Sequence, residues 1–398
     1  MVWLAVGDRN TKFFHAQAHQ YRQTNSIKGL LNENNKWCTD ENEVEAIAIN
    51  YFAGLLRTNH PGDLMKVISA VNSIVTLKAN QNLLRPYTED EVSVALYQMH
   101  PSKALGPDGM SSFFFLQKYW HIVGSSVTHA VLSILNFGKM LRKINFSHIS
   151  LIPKKKCPEQ MSDFRPISLC NVVYKIISKV LANRLKLVLP FVISESQSAF
   201  VPGRLITDNI SVAFELIHKL KAKRLGRKGE MALKLDISKA YDRVKWIFLK
   251  SIMRRMGFAE RWISMVMECI KTVHYSVLID GVPKGYINPT RSIKQGDSLS
   301  PYLFLICVEG LIALLRKASD AGLLRGIQSC RRGPWVSHLF FVDDSLLFGQ
   351  ASIPECRKII DILNIYEANS SEKINQEKIA MFFSSNTSQS TWQSIQEF

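Results

Sequence analysis

The chain has 398 residues, 46% of them apolar and 21% charged, which is the composition of a globular protein long enough for two or three compact units with a sizeable core. Fifty Lys and Arg against 33 Asp and Glu leave a formal charge of +17, so a polyanionic partner is favoured and nucleic acid is the default candidate. Seven scattered cysteines (Cys38, Cys157, Cys170, Cys269, Cys307, Cys330 and Cys356) form no CxxC pair, and no His stands at zinc-ligand spacing, which argues for reduced intracellular thiols and against structural zinc. The longest apolar run, 303–315, is broken by Glu309 and is shorter than the roughly 20 residues a membrane span needs, so it reads as a buried helix. The first residues carry Asp8, Arg9 and Lys12 and lack a signal-peptide core, which speaks against secretion and for an intracellular protein.

In chain order, residues 1–100 read as an adaptor region, with polar turns and a helix over 43–56 in which Val44, Ile47, Ala48 and Tyr51 recur at helical spacing. The breaker cluster Gly106-Pro107-Asp108-Gly109 opens a second region, 101–145, whose apolar segment 113–141 should be mostly helical. From Phe146 to the end, strand and helix patterns alternate, as in a unit built on a sheet. Val172, Val173, Ile176, Ile177, Val180, Leu181 and Leu185 share one helical face in a helix that ends by Pro190. Two helices are expected after Asp242, one up to Gly257 and one over 260–272. A hairpin follows, with strands at 274–280 and 286–293 and a turn at Gly281.

Two places carry chemistry. Leu233, Leu235 and Ile237 alternate with Lys234 and Asp236, a strand pattern that buries one face and presents the Asp236 carboxylate on the other near the strand's end. The run 339–348 is apolar except for Asp343 and Asp344, which places two acids at the turn of a tight hairpin. Turns favour Asp, but adjacent carboxylates between hydrophobic strands repel each other unless a cation relieves them. Nucleotide joining is an in-line attack on an α-phosphate, in which two Mg²⁺ ions roughly 3.5–4 Å apart stabilise the attacking and leaving oxygens. Hard carboxylate oxygens on neighbouring strands suit such ions.

At these residues the chain resembles the reverse transcriptase of non-LTR (LINE-type) retrotransposons, particularly the elements abundant in plant genomes. The segments LIPKKKCPEQMSDFRPISLCNVVYK (151–175), ESQSAFVPGRLITDN (195–209), LKLDISKAYDRVKW (233–246), QGDSLSPYLF (295–304) and FFVDDSLLF (340–348) are similar, in order, to the polymerase motifs of that family. WxxxGDRNTKFFH (Trp3 to His15) and KxxGPDG (Lys103 to Gly109) are similar to its upstream sequence. The resemblance implies an α+β fold of right-hand fingers and palm over 146–398, with an antiparallel palm sheet and packed helices. It implies an RNA-directed DNA polymerase that extends a DNA 3′-hydroxyl along an RNA template with dNTPs, using two Mg²⁺ ions, with Mn²⁺ as a substitute.

The resemblance also assigns roles. Asp236, Asp343 and Asp344 become the catalytic acids and, with the main-chain carbonyl of Ile237, the metal ligands. Lys154, Arg165, Lys239, Ala240, Tyr241, Gln295 and Gly296 become the nucleotide site, with Tyr241 the ring that would clash with a 2′-hydroxyl. Lys378 becomes a general acid for the leaving pyrophosphate. Val342 departs from the small Ala usual before the acid pair, Leu105 from the Pro usual in KxxGPDG, and Ser370-Ser371-Glu372 from the usual Ser-Gly turn. Set against the family, the expected form is truncated, without endonuclease, thumb, zinc knuckle or RNase H, and the expected location is the nucleus. Two alternatives are a silent remnant that only binds nucleic acid and a cellular relative such as an intron maturase, against which the GDRNTKFFH segment argues.

Overall fold

The computed structural model describes residues 26–58, 62–100, 104–112, 118–330 and 332–397, with the single positions 16, 19 and 20. The GDRNTKFFH segment, Lys103 and residues 113–117 lie outside the described residues. Two short strands, β1 (Leu30–Leu31) and β2 (Trp37–Cys38), pair antiparallel and lead into the helix Glu41–Leu55. Asp40 accepts the amides of Asn42 and Glu43, so capping starts the helix two residues before the apolar periodicity does. Its Val44, Ala48, Phe52 and Leu55 form the buried stripe.

The GPDG segment is a docking device. A Cβ on Gly106 would stand 2.3 Å from the carbonyl oxygen of Cys170, so only glycine fits there. Asp108 then accepts the Val172 amide at 2.7 Å and caps the helix Val172–Lys186. Further along that helix Arg184, 2% exposed, donates to Glu91 and to the carbonyls of Leu83, Arg85 and Pro86, tying the helices Leu77–Leu84 and Glu89–Tyr97 to it. Of the expected 113–141 helix, the segment Trp120–Phe137 is observed, ended by Gly138 in the left-handed conformation.

The remaining strands are β3 (Phe146–Pro153), β4 (Phe164–Cys170), β5 (Glu230–Ser238), β6 (His274–Ile279), β7 (Val282–Ile287), β8 (Ile327–Gln328), β9 (Trp335–Val336), β10 (His338–Phe341), β11 (Asp344–Gln350), β12 (Lys373–Ile374) and β13 (Ala380–Phe383). One sheet has the order β4-β3-β6-β7, with β3 and β6 parallel and the outer pairs antiparallel. Its Ile149, Leu151, Tyr275, Val277 and Ile279 pack on the helix Glu41–Leu55. The return strand of its hairpin starts at Val282, not near 286 as the sequence pattern suggested. Asp280 and Gly281 both take positive φ and reverse the chain in two residues, and Pro289 has no amide to continue a ladder.

The second sheet runs β10-β11-β5-β12, and β13 also pairs with β5, all antiparallel. Behind it the helix Ser300–Asp320 is buried along almost its whole length against the helices Trp246–Met256 and Ile353–Ser370. Glu309, the acid inside the apolar run, accepts the Ser194 amide at 2.9 Å and hydroxyl at 2.7 Å, which is how a carboxylate is tolerated there. Among the described residues no helix is long and apolar enough to cross a membrane. The mixed helix-and-sheet architecture expected from the resemblance is the one observed.

Candidate active site

The pairing of β11 with β5 sets Asp344 directly opposite Asp236, so both carboxylates project from the same face of the sheet. Asp343 precedes Asp344 in the two-residue turn that links Phe341 to its partner Asp344. The turn is pinned to β5 by the Ile237 amide, which donates to the Asp343 carbonyl at 3.2 Å. Val342 holds φ 56°, a left-handed conformation that opposes a β-branched side chain. It is held from behind by Gln197, fully buried, whose Oε1 accepts the amides of Val342 at 3.2 Å and Ala199 at 3.0 Å. Around it the Phe340 amide donates to the Ser196 carbonyl at 2.8 Å, and Asn209 donates to the carbonyls of Ser196 and Phe340. Residues 194–209 thus brace the acidic hairpin.

The side chains are arranged less simply than the backbone. Asp236 is half-buried and accepts from the Lys378 ammonium at 3.1 Å and from Asn375 Nδ2 at 3.3 Å, while its carbonyl accepts the Asn375 amide at 2.8 Å. Asp344 is exposed, with Lys234 at 3.8 Å. Burial, with Asp344 and Asp236 adding negative charge nearby, raises the carboxyl pKa of Asp343 above its ordinary value. Among the described residues no three Asp, Glu, His or Cys side chains stand close enough to hold an ion between them. Backbone pairing gathers the acids at one edge, but their carboxylates do not converge on a point: Asp236 is turned to Lys378 and Asn375, and Asp344 to Lys234. The donors themselves, carboxylates and the Ile237 carbonyl, are the hard oxygens that divalent cations such as Mg²⁺ prefer.

Of the residues assigned to the nucleotide, Tyr241 lies within reach of the Asp343 charge and Lys154 within reach of Arg165 and Lys378. Tyr241 is half-buried and stacks on Phe304, ring centroids 5.3 Å apart. Burial, and then the Asp343 charge, pushes its phenol up to about 12, so it stays neutral. Lys154 is exposed, and its ammonium donates to the Ser162 carbonyl at 3.0 Å. Partial burial, and then the charges of Arg165 and Lys378, lowers its pKa, which places three cations near one another. Arg165 sits on β4 opposite Ile152. Gln295 accepts the Ser168 amide through its carbonyl at 2.9 Å, and Gly296, at φ 98°, packs beside Ile167. Ala240 is buried.

Lys239 does not lie open. It is in the left-handed conformation, its ammonium donates to the Tyr51 hydroxyl over that ring, and burial brings its pKa down to about 8. Asp242, which sequence reasoning passed over, is its local counter-charge. Burial pushes that carboxyl up to about 6 against the pull of Lys239, Arg243, Lys154 and Arg291. Gln197 and Asn375 were missed as well. Gln197 falls inside the 195–209 motif, but only its contacts give it a role.

The family model for reverse transcriptase (RNA-dependent DNA polymerase) matches residues 152–394, more than half of the chain. The chain belongs to the reverse transcriptase family. Reverse transcriptases use divalent metal ions, in keeping with the oxygen donors at the sheet edge. Over 385 residues it is 28% identical to the "Transposon TX1 uncharacterized 149 kDa protein" of Xenopus laevis, a match covering 95% of this chain and 28% of that protein. Over 339 residues it is 25% identical to the "Retrovirus-related Pol polyprotein from type-1 retrotransposable element R2" of Nasonia vitripennis, covering 83% of this chain and 31% of that protein. A 68-residue stretch is 46% identical to an uncharacterized mitochondrial protein of Arabidopsis thaliana, covering 17% of this chain and 56% of that protein. The resemblance to non-LTR retrotransposon reverse transcriptases is thereby borne out. The chain spans about three tenths of the length of the first two of these relatives.

Proposed function

We propose that this chain is the polymerase core of a non-LTR retrotransposon reverse transcriptase, which extends a DNA 3′-hydroxyl along an RNA template with dNTPs. The observation that carries this reading is the β5–β11 register, which sets Asp236 against the Asp343-Asp344 hairpin. Asp236, Asp343, Asp344 and the Ile237 carbonyl would hold two Mg²⁺ ions. When bound, these ions supply electrostatic stabilisation of the attacking and leaving oxygens.

The protein's own groups do the positioning. Arg165 and Lys154 offer donors to the triphosphate, the guanidinium fork of Arg165 matching two phosphate oxygens at once. Tyr241, fixed by Phe304, forms a floor under the sugar that excludes a 2′-hydroxyl. The left-handed Gly296 lets backbone approach the nucleotide. Lys378 neutralises Asp236 in the resting site and stands near enough to Lys154 and Arg165 to reach a leaving pyrophosphate. Lys239, engaged with Tyr51, contributes charge to this region and steadies the loop after β5.

The test is primer extension on poly(rA)/oligo(dT) with Mg²⁺, for this chain and its Asp343→Asn variant. Incorporation that requires both Mg²⁺ and Asp343 supports the proposal. Salt-sensitive RNA binding without incorporation, unchanged in Asp343→Asn, would instead identify a remnant that only binds nucleic acid.

A further inference from the structure

The family match begins at Ile152, yet a helix well before it reaches the nucleotide site. Glu41–Leu55 lies so close on β7 that a Cβ at Gly285 would stand 2.6 Å from Ile49. The carbonyls at its end are taken up by the segment that leads to Gln295-Gly296. The amides of Thr290 and Arg291 both donate to the Leu56 carbonyl, at 2.9 and 3.2 Å, and the buried Arg291 guanidinium donates to that of Leu55 at 2.8 Å. The same segment then turns inward, where the Ser292 amide donates to the Val244 carbonyl and the Ile293 amide to that of Tyr241, each at 2.9 Å. One short stretch thus joins the end of the helix to the chain that carries Tyr241.

Tyr51, one turn before that end, makes a second link. Its hydroxyl accepts from the Lys239 ammonium, which also lies over its ring, 4.5 Å from the centroid. The ring is half-buried and is met edge to face by the buried Phe52 at 5.2 Å, so water competes little for the cation on its face. Lys239 needs such a hold. It takes φ 52° and ψ 47°, a conformation its side chain opposes, where the chain leaves β5 for the helical turn Ala240–Arg243. The charges of Arg243, Asp242 and Lys154 all reach its ammonium. A Lys239 released from Tyr51 would therefore be pushed by two cations and drawn by one acid, and nothing would keep the turn in place.

We infer that Tyr51 is a positioning residue of the nucleotide site: by holding Lys239 it fixes the left-handed turn that sets Ala240 and Tyr241 beneath the incoming dNTP. The inference rests on the polymerase reading, which assigns 239–241 to the nucleotide. A region whose sequence reads as an adaptor becomes in this way a working part of the polymerase, through a contact 188 positions apart. Tyr51 acts only through Lys239, so its effect should vanish once the Lys239 charge is gone.

The experiment measures the Kd of dTTP for the chain on poly(rA)/oligo(dT) whose primer ends in a dideoxynucleotide, so that no synthesis is needed. Tyr51→Ala should raise Kd by about five- to tenfold. Tyr51→Phe, which keeps the ring, should raise it by about two- to threefold, and it carries the test if Tyr51→Ala does not fold. In a Lys239→Met background, which already binds dTTP more weakly, either Tyr51 change should add less than about twofold. Glu45→Ala breaks the 3.0 Å ion pair between the same helix and Lys284 of β7, and it should leave Kd unchanged, separating the Lys239 contact from helix packing. An unchanged Kd in the folded Tyr51 variants, an equal loss in Glu45→Ala, or a full further loss in the Lys239→Met background would each overturn the inference and leave the polymerase reading standing. Absence of dTTP binding by the unaltered chain would overturn that reading and the inference with it.

Discussion

Glu372 offers a test of how the strands that hold Asp236 are secured. Its carboxyl is 1% exposed just before β12, accepts the Tyr366 hydroxyl at 2.7 Å through one oxygen, and has no partner on the other. Burial pushes its pKa up to about 8, from an ordinary 4.5. The folded chain therefore keeps a proton that the unfolded chain releases, and stability falls as pH rises between those two values and levels off above the higher one. At pH 7 the penalty is about 3 kcal/mol. Glu372→Gln removes the titration but keeps an acceptor for Tyr366, and its amide nitrogen falls where the protonated acid would carry its hydroxyl. Urea unfolding followed by tryptophan fluorescence should find the two chains alike near about pH 4 and the variant more stable by about 3 kcal/mol near about pH 7. A difference that is the same at both pH values, or a variant weaker at neutral pH, would refute the reasoning.

Other changes separate stability from chemistry. Ser371 holds φ 66° immediately after the helix Ile353–Ser370, where glycine is the natural cap, so Ser371→Gly should raise stability by about 0.5–1 kcal/mol, read as a higher Tm. Gln197→Ala strips two buried amides of their acceptor and should cost about 2 kcal/mol in denaturant melts. Because the Val342 turn would loosen, kcat should fall more than the KM for dNTP rises; an unchanged kcat would remove Gln197 from the hairpin's support. Tyr241→Ala should raise incorporation of ribonucleotides relative to deoxyribonucleotides in primer extension, and a constant ratio would free Tyr241 of the sugar-selecting role.

Much of this was legible in the sequence because it follows from period and punctuation. The alternation in 233–237 and the acid-bearing apolar hairpin specified two strands, and the apolar run 303–315 specified a buried helix, as observed in β5, β11 and Ser300–Asp320. Register was not legible. That Asp344 rather than Asp343 lies opposite Asp236 depends on a two-residue turn with Val342 in the left-handed region, which nothing in Phe-Val-Asp-Asp announces. The hairpin at β7 was misplaced for the opposite reason, since Asp280-Gly281 is a turn signal whose two-residue length sets the return strand earlier than its hydrophobic residues do. Side-chain partners were the least legible part. Lys378 on Asp236, Gln197 under Val342 and Lys239 on Tyr51 join residues 142, 145 and 188 positions apart, beyond any local pattern.

The strand β5 is joined by β11 on one side and by β12 and β13 on the other, all of them contributed by chain that follows it by roughly a hundred residues or more. During synthesis β5 must therefore wait, with both hydrogen-bonding edges open, until the C-terminal third emerges. A nascent or refolding chain in that interval exposes an apolar strand prone to pairing with the wrong neighbour. Catalytic competence should accordingly be among the last properties to appear on refolding, and recovery should fall with protein concentration as intermolecular pairing competes for the waiting edges.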